Sequence, residues 1–139
     1  MVEQKNIDSL EGKRRIENFT DLVVWQKAHE LVLEIYRITK TFPQEEKFGL
    51  IIQMRRAAVS VAANIAEGFK RRGPKSKTQF YNISQGSLGE VEYFLILSKD
   101  LGYRKEDPKL TDLCDRVGRM LTALINSIIK YGLGSGKKS

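Results

Sequence analysis

The run from Leu50 to Gly68, LIIQMRRAAVSVAANIAEG, constrains the fold of this chain more than any other stretch. At 100° per residue, Gln53, Arg56, Ser60, Asn64 and Glu67 fall on one narrow polar stripe. The other directions are taken by Phe48, Leu50, Ile51, Ile52, Met54 and a succession of Ala, Val and Ile from Ala57 to Ala66, with only Arg55 interrupting. A surface helix normally carries an apolar stripe on a polar cylinder. Here the pattern is inverted, and the helix is predicted to be surrounded by protein on nearly every side.

The rest of the chain resolves into three further helices around it. Residues 1–19 are polar and aperiodic and are predicted as a disordered leader. Asp21 is the expected N-cap of the first helix, which runs to about Thr41 with Trp25, Ala28, Leu31, Val32, Ile35 and Ile38 on its apolar face. Phe42-Pro43 ends it, because the residue before proline is pushed out of helical geometry. The second helix is expected from Pro43 or Glu45 to Glu67, with Gly68 as the glycine just past its end. Gly73-Pro74 marks the turn into a third helix over about Lys75 to Leu101. Within it Gly86 and Gly89 each sacrifice about 1 kcal/mol of helix propensity, which predicts a close backbone approach there.

Asp107-Pro108 supplies an N-cap and a first-turn proline for the fourth helix. Its heptad seam of Leu110, Cys114, Val117, Leu121, Leu124, Ile128 and Tyr131 ends at Gly132, and residues 132–139 are predicted as a disordered tail. No stretch alternates with period two. Four helices on short links predict an all-α, antiparallel up-down-up-down four-helix bundle over residues 20–131.

If the second and third helices form a hairpin about Gly73, residues equally distant from it in sequence share a depth. Arg56 then meets Glu90, with Glu92 as its alternative; Ser60 meets Gly86 and Ser87, Asn64 meets Asn82, and Glu67 meets Gln79. Three readings of the stripe stay open: a buried network fixing helix register, the lining of a ligand cavity, or a polar seam between subunits. In the first, Arg56 is the sensitive position, because removing one partner of a buried ion pair costs about 3–5 kcal/mol.

The residues argue against an enzyme. Glu67 and Glu90 lie several turns apart on antiparallel helices, too far for a two-carboxylate hydrolase. The single His29 and the single Cys114 supply neither a nucleophile pair nor a metal set, and the Glu-x-x-His signature of di-iron bundles is absent. No cofactor or metal is expected. Lone His29 reads more readily as a surface or boundary residue than as a ligand. No apolar leader and no run of roughly 20 apolar residues is present, so no membrane association and a cytoplasmic location are expected.

Net charge is +7 over 139 residues. Its distribution is more informative than its size. Between Glu67 and Glu90 no acidic residue occurs, while Lys70, Arg71, Arg72, Lys75 and Lys77 cluster in the connector and the start of the third helix.

Several ordered motifs are familiar: Asp21-Leu22-Val23-Val24-Trp25-Gln26-Lys27-Ala28; Phe42-Pro43 with Phe48-Gly49-Leu50 and Gln53; Arg55-Arg56-Ala57-Ala58-Val59-Ser60; Asn64-Ile65-Ala66-Glu67-Gly68; and Gly86-Ser87-Leu88 with Glu90 and Glu92. Together they closely resemble the small four-helix-bundle family known from open reading frames in intervening sequences of bacterial 23S ribosomal RNA genes. The chain is also similar, more distantly, to the accessory proteins of diversity-generating retroelements. The resemblance implies a homopentamer around a central opening and implies no reaction and no cofactor. The retroelement relatives bind nucleic acid and a reverse transcriptase, which offers an analogy without a transferable residue motif.

Two functional readings follow. In one, the protein is a homo-oligomer that binds RNA or DNA through Lys70, Arg71, Arg72, Lys75 and Lys77. In the other it is a protein-interaction scaffold with no nucleic-acid role, motivated by the apolar excess of the second and third helices.

Overall fold

The computed structural model describes residues 15–133. The leader expectation over residues 1–14 and the tail expectation over 134–139 lie outside the described residues. The fold is all-α, with four helices and no strand among the described residues: α1 (Val23–Thr39), α2 (Leu50–Lys70), α3 (Pro74–Asp100) and α4 (Pro108–Ser127). Short 3-10 segments precede α1 (Phe19–Asp21) and α2 (Gln44–Glu46), and a π-helical segment, Ile128–Leu133, extends α4. The helical path therefore runs one residue past Gly132.

The helix starts differ from expectation in an instructive way. Asp21 does not cap α1; it closes a capping box with Asn18 around the 3-10 turn. Pro43 opens the second 3-10 turn, and α2 starts only at Leu50, whose N–H is accepted by the Glu46 carboxylate at 3.1 Å. At the far end α2 continues through Gly68 to Lys70. Gly68 is thus a contact glycine: a Cβ there would sit 2.6 Å from Cε1 of the buried Tyr81. Gly102, at φ 80°, does end a helix. Its N–H donates to Lys99 O and that of Tyr103 to Ser98 O, the paired bonds of a Schellman closure on α3.

The most extensive helix pair is α2 with α3, followed by α1 with α2. Small residues explain the first. Ala57, Ala58, Val61, Ala62 and Ile65 of α2 meet a face of α3 with Ser84, Ser87, Leu88 and Val91. Buried Ser84 donates to Val61 O at 2.7 Å, and Ser60 and Ser87 share a 2.7 Å hydroxyl bond. The α2–α3 pair is therefore antiparallel at these contacts. Leu31, Ile35, Met54, Val91, Val117 and Leu121 are fully buried at the centre, so truncation of Met54 or Leu121 to Ala is worth about 2–5 kcal/mol.

Arg55, which read as an interruption of the apolar pattern, fastens α2 to the end of α1. Its Nε donates to Thr39 Oγ1 at 2.9 Å, and its guanidinium lies 4.5 Å from the Tyr36 ring centre. At the same end Tyr103 donates to Glu46 at 2.7 Å, and Arg104 donates to Leu95 O at 2.8 Å.

Two expectations for packing are corrected. Gly86 and Gly89 face open space, with nothing within 4 Å of a Cβ at either position, so no close backbone approach within this chain accounts for them. The heptad seam of α4 is buried only as far as Leu121; Leu124 and Ile128 are half-buried and Tyr131 is 64% exposed. The seam turns away from the core as α4 passes into its π-helical end. Helix α2 is likewise uncovered along one side: Ile52, Val59 and Ala63 are exposed, and Phe48 just before it is 83% exposed.

Candidate nucleic-acid interface

The polar stripe lies along the rim of the α2–α3 seam. Gln53, Arg56, Glu67, Asn82, Glu90 and Glu92 are exposed, Ser60 and Asn64 half-buried, and only Ser87 buried. Gln53, Arg56, Ser60 and Glu90 line one small recess of about 120 Å³, so Arg56 and Glu90 share a depth. No ion pair joins Arg56 to Glu90 or Glu92 among the described residues, and the buried-pair expectation is corrected. Long side chains at the rim of a seam closed by Ala and Ser reach solvent instead. Asn64 bonds Ser60 on its own helix, at 3.0 Å to Oγ and 2.9 Å to the carbonyl, rather than Asn82. Glu67 pairs with Arg71 at 2.5 Å rather than meeting Gln79. Glu92, though exposed as a residue, is raised above the ordinary carboxylate value by partial desolvation of its carboxyl and then by neighbouring Asp115.

The five basic candidates sit where α2 hands over to α3, and they divide by role. Lys77 Nζ donates to Gly68 O at 3.2 Å and Phe69 O at 2.8 Å, neutralising the last carbonyls of α2; partial burial lowers its pKa. Arg71 is held by Glu67 and lies 4.6 Å over the Phe80 ring. Lys70 rests over Phe19 at 5.7 Å. Arg72 and Lys75 make no hydrogen bond or ion pair among the described residues and are exposed. Pro74 opens α3 with no acidic residue in its first turn, so the positive end of that helix dipole points the same way.

The fold adds a second basic element. Arg72, Pro74 and Lys77 line a groove of about 330 Å³ whose other wall is Ser127, Ile128 and Tyr131. Lys130 lies 5.3 Å from the Tyr131 ring centre. Sequence reasoning missed this wall, although a signal for it exists: no Asp or Glu occurs from Arg116 to the last residue. Two acid-free stretches, distant in sequence, meet at one end of the molecule.

The opposite end is chemically different. There carboxylates are interleaved and paired, Lys99 with Glu106 at 2.7 Å and Arg37 with Asp107 at 3.8 Å. A cleft of about 470 Å³ opens near it between α3 and α4. It is lined by Lys99 and Arg104 together with Glu92, Glu106 and Asp115. Cys114 also faces it, but the thiol is buried and pushed up to about 12 by desolvation, so it is no nucleophile at neutral pH. His29 stacks on Trp25 at 5.0 Å in a shallow apolar groove between α1 and α2, with Val59, Ala62 and Ala66. No group of three or more His, Cys, Asp or Glu able to hold a metal occurs among the described residues. No helix among them is long and apolar enough to cross a membrane.

Fold and charge define a class: a small all-α, four-helix protein with a basic end. The family model described as 23S rRNA-intervening sequence protein matches residues 20–123, and the chain belongs to that family. Among solved structures it is similar to a protein of unknown function from the S23 ribosomal protein family of Bacteroides thetaiotaomicron. The two are 22% identical with a TM-score of 0.67, over 74% of this chain and 98% of that one, a likeness that shows the fold alone. No curated protein matches the chain.

Proposed function

We propose that this protein is a non-enzymatic, cytoplasmic homo-oligomer that binds RNA or DNA through its basic end. The observation that carries the reading is the pair of uncommitted cations, Arg72 and Lys75, gathered at one end of the fold with Lys70 and Lys130, which touch only aromatic rings, while Lys77 and Arg71 hold that end together. Phosphate contacts release counterions, so affinity falls with salt by about 0.9 per phosphate in log-log slope on duplex DNA. The bundle is read as up-down-up-down and the assembly as a ring-like homopentamer, the form that the family resemblance implies. Exposed Ile52 and Val59 and the apolar α1–α2 groove support assembly, since they exceed what one core buries. A ring would repeat the basic end on one face.

The test is titration of labelled RNA and DNA against wild type and a Lys70/Arg72/Lys75→Gln variant over a range of salt. The expected result is salt-dependent wild-type binding and a slope reduced by about 2 to 3 in the variant. Absent binding, or equal binding by both proteins, overturns the reading. The α1–α2 groove also favours the second reading, a protein-interaction scaffold without a nucleic-acid role. Co-purification of a protein partner free of RNA and DNA would support it.

A further inference from the structure

The groove at the basic end has a composition that general phosphate attraction does not require. One wall carries Arg72, Pro74 and Lys77; the other carries Ser127, Ile128 and the 64% exposed ring of Tyr131. Its volume of about 330 Å³ is at the lower end of the range for small-molecule sites, roughly 300–1,000 Å³. The wall with Tyr131 is π-helical, a geometry that is rare and frequent at functional positions. A duplex presents only its phosphates and groove edges to such a recess, whereas an unpaired base presents an apolar face that an aromatic ring can stack on. Lys77 commits two of its three N–H donors to Gly68 and Phe69, which leaves one for an acceptor in the groove.

We propose that this groove receives an unpaired base of a single-stranded nucleic acid, stacked on Tyr131, with the flanking phosphates on Arg72 and Lys75. The inference rests on the nucleic-acid reading above and sharpens it to a substrate class. Charge complementarity selects the occupant: Arg72 and Lys77 line the groove beside Pro74, Ile128 and Tyr131, and no carboxylate lines it.

The test uses the full chain with three fluorescein-labelled probes, a 12-nucleotide oligo-uridine, the matching oligo-thymidine and a blunt 12-base-pair duplex. Wild type, Tyr131→Ala and Tyr131→Phe are compared, with helix content checked by circular dichroism. The expected result is single-strand binding at least about tenfold tighter than duplex, a loss of about tenfold in Tyr131→Ala on single strands only, and retention in Tyr131→Phe. The salt slope of Tyr131→Ala should stay at the wild-type value, because no phosphate contact is removed. A twofold or greater difference between oligo-uridine and oligo-thymidine would show that the 2′-hydroxyl or the base's 5-methyl position is read in the site; equal affinity keeps the stacking assignment for both. Salt-dependent binding insensitive to Tyr131, or reduced equally on duplex and single strand, overturns this inference and leaves the general reading standing. No binding of any probe by wild type overturns both.

Discussion

Gly68 and Gly86 show how one residue type takes opposite roles in two facing helices. Gly68 is buried against Tyr81, and Gly68→Ala forces a side chain to within 2.6 Å of that ring, so a loss of about 1–3 kcal/mol is expected in chemical denaturation. Gly86→Ala meets nothing, and removing glycine's unfolded-state freedom should stabilise the monomer by up to about 1 kcal/mol. Both glycines follow helical residues in sequence, and Gly68 reads equally well as a helix terminator or as a contact; only the position of Tyr81 separates the two.

Glu46 and Tyr103 give the residue-scale pH prediction. The Tyr103 hydroxyl, then the Leu50 N–H, hold the Glu46 carboxyl below its ordinary value of 4.5. A lowered carboxylate contributes stability that is complete above that ordinary value and lost as pH falls through the lower folded one. Tyr103 is raised above 10.0, by the Glu46 bond first, so its part is complete below that value and lost as pH rises. Tyr103→Phe should therefore move the Glu46 midpoint back toward 4.5 in an NMR titration and flatten the acid limb of stability against pH. An unchanged midpoint would contradict the assignment.

The helices were legible because their termini are written in short-range chemistry. Asp107-Pro108, Gly73-Pro74 and Gly102 sit where α4 and α3 begin and where α3 ends. The start of α2 was not legible, because Glu46 caps it from inside a 3-10 turn four residues earlier. The basic cluster was legible as charge but not as role. A helix-closing lysine and a free one have the same letter, and only the positions of Gly68 O and Phe69 O distinguish Lys77 from Lys75. Lys77→Met should accordingly lower stability by about 1 kcal/mol in thermal melts. Lys75→Gln should leave melting unchanged and weaken nucleic-acid binding alone. Tyr131 escaped because the heptad reading assigned it to the core, whereas the π-helical turn carries its ring outward.

At the scale of the molecule, the apolar excess of α2 is divided between one covered side and one bare side. Met54, Ala58, Val61 and Ile65 account for the first, and Ile52 and Val59 for the second. The inverted pattern is thus buried on one side by this chain, and the bare side is the surface on which the proposed assembly rests. Val59→Glu should leave the monomer folded and reduce its mass in light scattering behind a sizing column; a wild type that elutes as a stable monomer would remove the assembly argument. Polarity is the other molecular property. One end gathers unpaired cations, and the other interleaves Lys99, Arg104 and Arg37 with Glu106 and Asp107. Placing nucleic acid at the first end is the central claim, and ultraviolet crosslinking of bound oligo-uridine followed by peptide mass spectrometry tests it most directly. Crosslinks are predicted within residues 69–77 and 127–131, with Tyr131 the main adduct. Crosslinks confined to residues 41–49 and 101–107, or to the α1–α2 groove, would contradict it.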